Sequence, residues 1–95
     1  MSKVIDTAVA ALSARLSGGF DGVAKFVFPG EGSIMVDGAG VRAGDEEADV
    51  TLTAETEVFE MILAGDLSAA SAFMSGKLTV DGNMGLAMKL GAVLA

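Results

Sequence analysis

Three stretches hold residues whose types and spacing could do chemistry. Asp45-Glu46-Glu47-Ala48-Asp49 gathers carboxylates, the oxygen donors that a hard cation takes. A calcium loop of the EF-hand kind needs acidic ligands at alternate positions, a central glycine and a distant glutamate. That spacing is missing, so the stretch reads as a solvated loop. Asp37 to Ala43 has the form GxGxxA through Gly38, Gly40 and Ala43. A dinucleotide loop of that form opens a helix whose N-terminus receives pyrophosphate. Here Gly44-Asp45-Glu46-Glu47 follows at once, which breaks a helix and repels phosphate, so a hairpin turn is the better reading. Lys77 and Lys89 could pair with a carboxylate; the plainer reading is that both are surface lysines.

What is left for catalysis is sparse. The chain has no Cys, His, Trp or Tyr. Disulfides, thiol nucleophiles, imidazole acid–base chemistry and thiolate or imidazole metal ligation are thereby removed. A serine nucleophile would need a lysine or carboxylate helper. Catalysis by this chain alone ranks last, and neither a metal nor a cofactor is expected. Six basic residues against thirteen acidic give a net charge of −7. Such a balance repels phosphate backbones and anionic headgroups, which sets nucleic acid aside. Residues 45–60 hold Asp45, Glu46, Glu47, Asp49, Glu55, Glu57 and Glu60, a patch that steers a basic partner or keeps an apolar domain soluble.

The elements that must position any site follow from periodicity. Ninety-five residues suit a single domain, 1–95, with one modest core. A hydrophobic fraction of 52% and a mean hydropathy of +0.57 argue against disorder. Ile5, Ala8, Val9, Leu12 and Leu16 share one face of a first helix, capped by Ser2 and stopped by Gly18-Gly19. This start reads as an amphipathic helix rather than a signal peptide, and a cytoplasmic setting is the default. Ala24, Phe26 and Phe28 alternate with Val23, Lys25 and Val27 in a strand that turns at Pro29-Gly30. A hairpin follows, Ile34 to Val36 and Val41 to Ala43, turning at Asp37-Gly38. Val50, Leu52 and Ala54 oppose Thr51 and Thr53 in the next strand.

The period then becomes helical, with Val58, Phe59 and Ile62 above acidic Glu55, Glu57 and Glu60, ending at Gly65. A short helix capped by Asp66 or Ser68 carries Leu67, Ala70, Phe73 and Met74, and Gly76 closes it. Leu78 and Val80 point inward from a fifth strand, and Asn83 can cap the last helix. Half-polar strands imply a sheet with helices on one face and water on the other, an α+β layer.

The last helix is over-supplied with apolar surface. At ~100° per residue, Met84, Leu86, Ala87, Met88, Leu90, Val93 and Leu94 sweep most of its circumference, leaving Lys89, Gly85 and Ala92 for water. A surface helix needs a stripe of somewhat over ~100°, and this one has about twice that. Something besides one sheet face must cover the rest. Methionines at 35, 61, 74, 84 and 88 fit either a packed core or a surface that accommodates varied apolar partners.

The segment SAFMSGKLTVDGNMGLAMKLGAVL resembles the closing part of the sterol carrier protein-2 family. The likeness is carried by Phe73, Gly76-Lys77, Leu78, Val80, Gly82-Asn83, Met84, Leu86, Ala87, Lys89 and Leu90, and upstream by ADVTLTAETEVFEMILAGDLSAASAFM. The resemblance implies a five-stranded, mainly antiparallel sheet with helices on one face. An apolar tunnel between the layers would accommodate sterols, fatty acids, fatty acyl chains or phospholipids. Candidate wall or core residues are Phe26, Phe28, Met35, Phe59, Ile62, Phe73, Met74, Met84, Leu86, Met88 and Leu90.

The function expected is non-catalytic binding and carriage of an apolar lipid ligand. The acidic balance contrasts with the basic carriers of that family, so weak or transient membrane contact at most is expected. Two other readings stay open. One is a protein-interaction module whose closing helix docks on another subunit or on a second copy of itself, as a homodimer. The other is an accessory subunit that presents lipid to a separate enzyme partner.

Overall fold

The computed structural model describes residues 3–16 and 19–94. The proposed Ser2 cap and the Gly18 half of the helix stop therefore lie outside the described residues. Helix α1 spans Lys3–Arg15, and Ile5, Ala8 and Leu12 form its buried stripe, continued by Leu16. Strands β1 (Ala24–Phe28), β2 (Gly32–Asp37), β3 (Gly40–Ala43) and β4 (Val50–Ala54) follow, then helices α2 (Thr56–Ala64) and α3 (Ala69–Met74), strand β5 (Leu78–Gly82) and helix α4 (Met84–Leu94).

The five strands form one sheet in the order β3-β2-β1-β4-β5. Every pairing is antiparallel except β1 with β4, which is parallel with Ala24 opposite Val50 and Phe26 opposite Leu52. Because side chains alternate along a strand, this register gathers the apolar residues on one face. Ile34 and Val36 of β2, Phe26 of β1 and Leu52 of β4 meet there beneath the helices. The α+β architecture is thus a mainly antiparallel five-stranded sheet with helices on one side.

Local chemistry sets the element ends. The hairpin turns one residue later than the sequence suggests, at Gly38-Ala39, because β2 runs on to Asp37. There Asp37 Oδ1 accepts the Ala39 N–H at 2.9 Å, and Oδ2 takes Arg42 Nη1 at 3.0 Å. The Arg42 guanidinium first, then the Ala39 N–H, holds the Asp37 carboxyl below its ordinary 3.8. Ser68 caps α3 by accepting from the Ser71 N–H at 3.0 Å, and Asn83 caps α4 by accepting from the Leu86 N–H at 3.1 Å. Gly65 ends α2 in the left-handed conformation, φ 85°.

Arg15 ties three helices together. Its guanidinium donates to the Leu94 carbonyl of α4 at 3.0 Å and to the Leu63 carbonyl of α2. Both acceptors lie in last turns, where a cation also meets the negative end of the helix dipole.

Candidate functional site

Among the described residues, two of the hollows interrupt the helical layer. The larger is a cleft of about 540 Å³ between α3, α4 and the β4–β5 edge of the sheet. Leu52, Leu78 and Val80 make its floor, each pointing to the helical side by the β4–β5 register. Phe73 and Met74 of α3 and Met84 and Met88 of α4 make its walls. The tunnel expected between the layers takes the form of this cleft, and it is open: Phe73 is 44% exposed, Met74 86%, Met84 46% and Met88 74%.

Open volume here comes from side chains that are small. Ala69 and Ala70 on α3 and Ala87, Gly91 and Ala92 on α4 also line the cleft. A Cβ built on Gly91 would stand only 3.7 Å from the Ala69 Cβ, so the two helices approach closely there. Among the described residues Ser68 supplies the single polar side chain of the lining, and its Oγ is already engaged as the α3 cap. None of the described lining residues carries a charge.

The eleven candidate residues divide sharply. Phe73, Met74, Met84 and Met88 come together in the cleft. Phe28 and Phe59 stack at 4.4 Å and line instead a smaller pocket of about 250 Å³ under α1 and α2, with Val4, Ala8 and Leu63. Phe26, tilted against Phe59 at 5.4 Å, is solid core, as are Ile62 and Leu90. Leu86 packs over Gly22, where an added Cβ would meet its methyls at 3.0 Å.

Met35 is placed differently from the expectation. It pairs across the sheet with Lys25 and Arg42, on the face away from the helices. The loop after β3 buries it there, with the Glu46 N–H donating to its Sδ at 3.5 Å. On the short helix α3, Ala72 is the buried residue, while Ala70, Phe73 and Met74 line the cleft. Sequence reasoning passed over Ala69 and Gly91, took Ser68 only as a cap and Ala87 only as part of the apolar arc, and assigned Ala92 to water, yet all five shape the cleft. Their signal was a concentration of small residues on two successive helices.

The charged stretches are occupied elsewhere. Asp45 pairs with Lys25 at 2.9 Å, and Glu46 with Arg42 at 3.4 Å. Among the described residues no three carboxylates are grouped to hold a metal ion. Lys89 Nζ lies 3.8 Å from Asp21 Oδ2 with both groups in water, a pair of little energetic weight. Lys77 is exposed, and neither lysine lines the cleft.

The model of the SCP-2 sterol transfer family matches residues 6–95. The chain belongs to this family. Peroxisomal multifunctional enzyme A of Dictyostelium discoideum is 49% identical over 65 residues, 68% of this chain and 14% of that protein. Human sterol carrier protein 2 is 41% identical over 61 residues, 64% of this chain and 10% of that protein. The chain thus spans a small part of the length of these SCP-2 relatives. Among solved SCP-2 structures, palmitated SCP2L2 of Aedes aegypti superposes with a TM-score of 0.79 at 26% identity, covering 99% of this chain and 95% of that one. The Aedes aegypti sterol carrier protein-2 complex with palmitate, a C16 fatty acid, gives 0.78 at 27% identity, covering 100% and 97%.

Proposed function

We infer that this SCP-2 domain binds an apolar lipid in the cleft between α3, α4 and β4–β5 and carries it unchanged. The class is a fatty acid, fatty acyl chain, sterol or phospholipid. The observation that carries this reading is the cleft itself: about 540 Å³, walled by partly exposed Phe73, Met74, Met84 and Met88. Pockets for small organic ligands run to ~300–1,000 Å³ and are mostly apolar. The palmitate bound in the Aedes aegypti relative supports the same class of cargo.

The driving force is burial, at ~25 cal/mol per Å² of apolar surface removed from water on both partners. A non-catalytic role is supported by the lining, which offers no carboxylate, lysine or arginine to act as acid or base. Methionine walls adapt to chains and rings alike, because the thioether side chain is unbranched and flexible.

Native mass spectrometry of the purified protein, followed by lipid extraction, tests this directly. Retained lipid released on denaturation is the expected result. No retained lipid, together with no uptake of a fluorescent fatty-acid analogue by the folded protein, would overturn the reading.

A second reading adds an enzyme partner. The Dictyostelium relative named a multifunctional enzyme contains the matching segment within a much longer chain. That observation favours a domain that presents its lipid to an enzyme, and a salt-sensitive association through the acidic 45–60 patch is what it requires.

A further inference from the structure

Methionine is the only sulfur-bearing residue type in this chain, and its placement is uneven. Met74, Met84 and Met88 line the cleft and are open to solvent. Met61, 40% exposed on α2, lies outside the cleft lining. Met35, 0% exposed, is sealed on the opposite face of the sheet with its sulfur engaged by the Glu46 N–H. Among the described residues, three oxidisable thioethers thus stand around one apolar hollow, with an exposed and a buried methionine elsewhere.

We propose that Met74, Met84 and Met88 form a peroxide-sensitive modification site that closes the cleft to apolar lipid when their thioethers become sulfoxides. The reaction is a two-electron oxygen transfer from a hydroperoxide. A sulfur lone pair attacks the terminal peroxide oxygen, the O–O bond breaks, an S–O bond forms, and the displaced oxygen leaves as water or an alcohol after taking the transferred proton. Sulfur is oxidised and the peroxide reduced, with no further reactant. The product is a polar, chiral side chain in place of a flexible apolar one.

The consequence for the cleft follows from its chemistry. A sulfoxide oxygen is a hydrogen-bond acceptor that water satisfies in the empty, open cleft. Lipid seated on that wall strips the water away, and the lining supplies almost nothing in return, since Ser68 is its one polar side chain and already caps α3. Burying an unpartnered polar group against apolar surface opposes binding. The free fold feels little of this, because Met74 and Met88 contribute mostly solvent-facing surface to it. Oxidation therefore acts on lipid affinity far more than on folding, and methionine sulfoxide reductases make it reversible.

This inference rests on the lipid-binding reading, and the experiment separates the two. The protein is titrated with hydrogen peroxide, each methionine's oxidation is followed by peptide mass spectrometry, and affinity for a fluorescent fatty-acid analogue is measured alongside. Met74 and Met88 should oxidise ahead of Met61, with Met35 last, and affinity should fall by roughly tenfold or more as the cleft methionines convert. Treatment with both epimer-specific reductases should restore it. Bound analogue should slow oxidation at Met74, Met84 and Met88 while leaving Met61 unchanged. A Met74→Leu, Met84→Leu, Met88→Leu variant, compared only with its own untreated sample, should lose no affinity on peroxide treatment.

Full conversion of the three cleft methionines with affinity intact overturns the proposal, as does a loss that tracks Met61 or Met35. If the triple variant does not fold, reductase rescue and ligand protection in the parent protein still decide the matter. Untreated protein that binds no apolar probe would instead defeat the lipid-binding reading and this inference with it.

Discussion

Met88 and Leu90 sit two positions apart on α4 and should respond in opposite ways to truncation. A fully buried methionine side chain contributes about 1.5–3 kcal/mol. Met88 is 74% exposed, so only about a quarter of that, some 0.4–0.8 kcal/mol, is realised in the free protein. The remaining ~1.1–2.2 kcal/mol is available only when a ligand covers the side chain. Met88→Ala should therefore lower the melting temperature by no more than about 6 °C, at ~4–8 °C per kcal/mol for a domain of this size. Its affinity for a fluorescent fatty-acid analogue should drop about 6- to 40-fold, since ~1.4 kcal/mol is a factor of ten. Met88→Asp places a carboxylate against the lipid and should abolish binding while the fold survives.

Leu90 is 0% exposed and belongs to the core, outside the cleft lining. Leu90→Ala should cost about 2–5 kcal/mol of stability, read as a shifted urea midpoint at unchanged slope. The molecules that remain folded should bind almost as the parent does. Displacement titration and thermal circular dichroism on the same three variants measure both quantities. Folded Met88→Ala and Met88→Asp proteins with unaltered affinity would refute the assignment of the cleft.

Three further outcomes are expected. At Gly82, φ is +107° and an added Cβ would collide with the Asp49 carbonyl oxygen, so Gly82→Ala should cost more than about 2 kcal/mol; a melting temperature within ~2 °C of the parent would contradict this. Asp37 has a carboxyl held below 3.8 in the fold, so its contribution is fully present above that pH and lost as pH falls through the lowered value. The stability difference between parent and Asp37→Asn should accordingly shrink only in the acid range, and a difference constant from neutral pH to about pH 2 would exclude the Arg42 clamp as its cause. Transfer of lipid to anionic vesicles should be slow given the net charge of −7, and fast transfer that added salt suppresses would run against the expected repulsion.

How much of this was legible depends on what each element answers to. Strands β1 and β4 alternate in sequence as they do in burial, because one sheet face is covered and the other is half-open. The parallel pairing of β1 with β4 was not legible, since a whole hairpin separates them and nothing local states which edge β4 joins. Met35 shows the strand rule applied too loosely. With Ile34 and Val36 facing the helices, the period of two sends Met35 to the other face, and its own hydrophobicity is answered there by the loop at 44–46.

The closing helix marks the boundary between what hydropathy reports and what volume decides. Its excess apolar arc was plain in sequence, yet the division of that arc was not. Leu90 and Leu94 turn to the core while Met84 and Met88 turn to the cleft. That rotation goes with Arg15 donating to the Leu94 carbonyl and with the close approach of Gly91 to Ala69, both of which join residues far apart in the chain. Grease alone would have closed on itself as core. The cleft stays open because Ala69, Ala70, Ala87, Gly91 and Ala92 bring too little side chain to fill the space their helices enclose. In that open hollow the lining meets only water, and a lipid chain replaces the water with apolar contacts. The small residues thus specify the site as firmly as the methionines do, and enlarging Ala70 or Ala92, both exposed in the free fold, should displace cargo before it disturbs the fold.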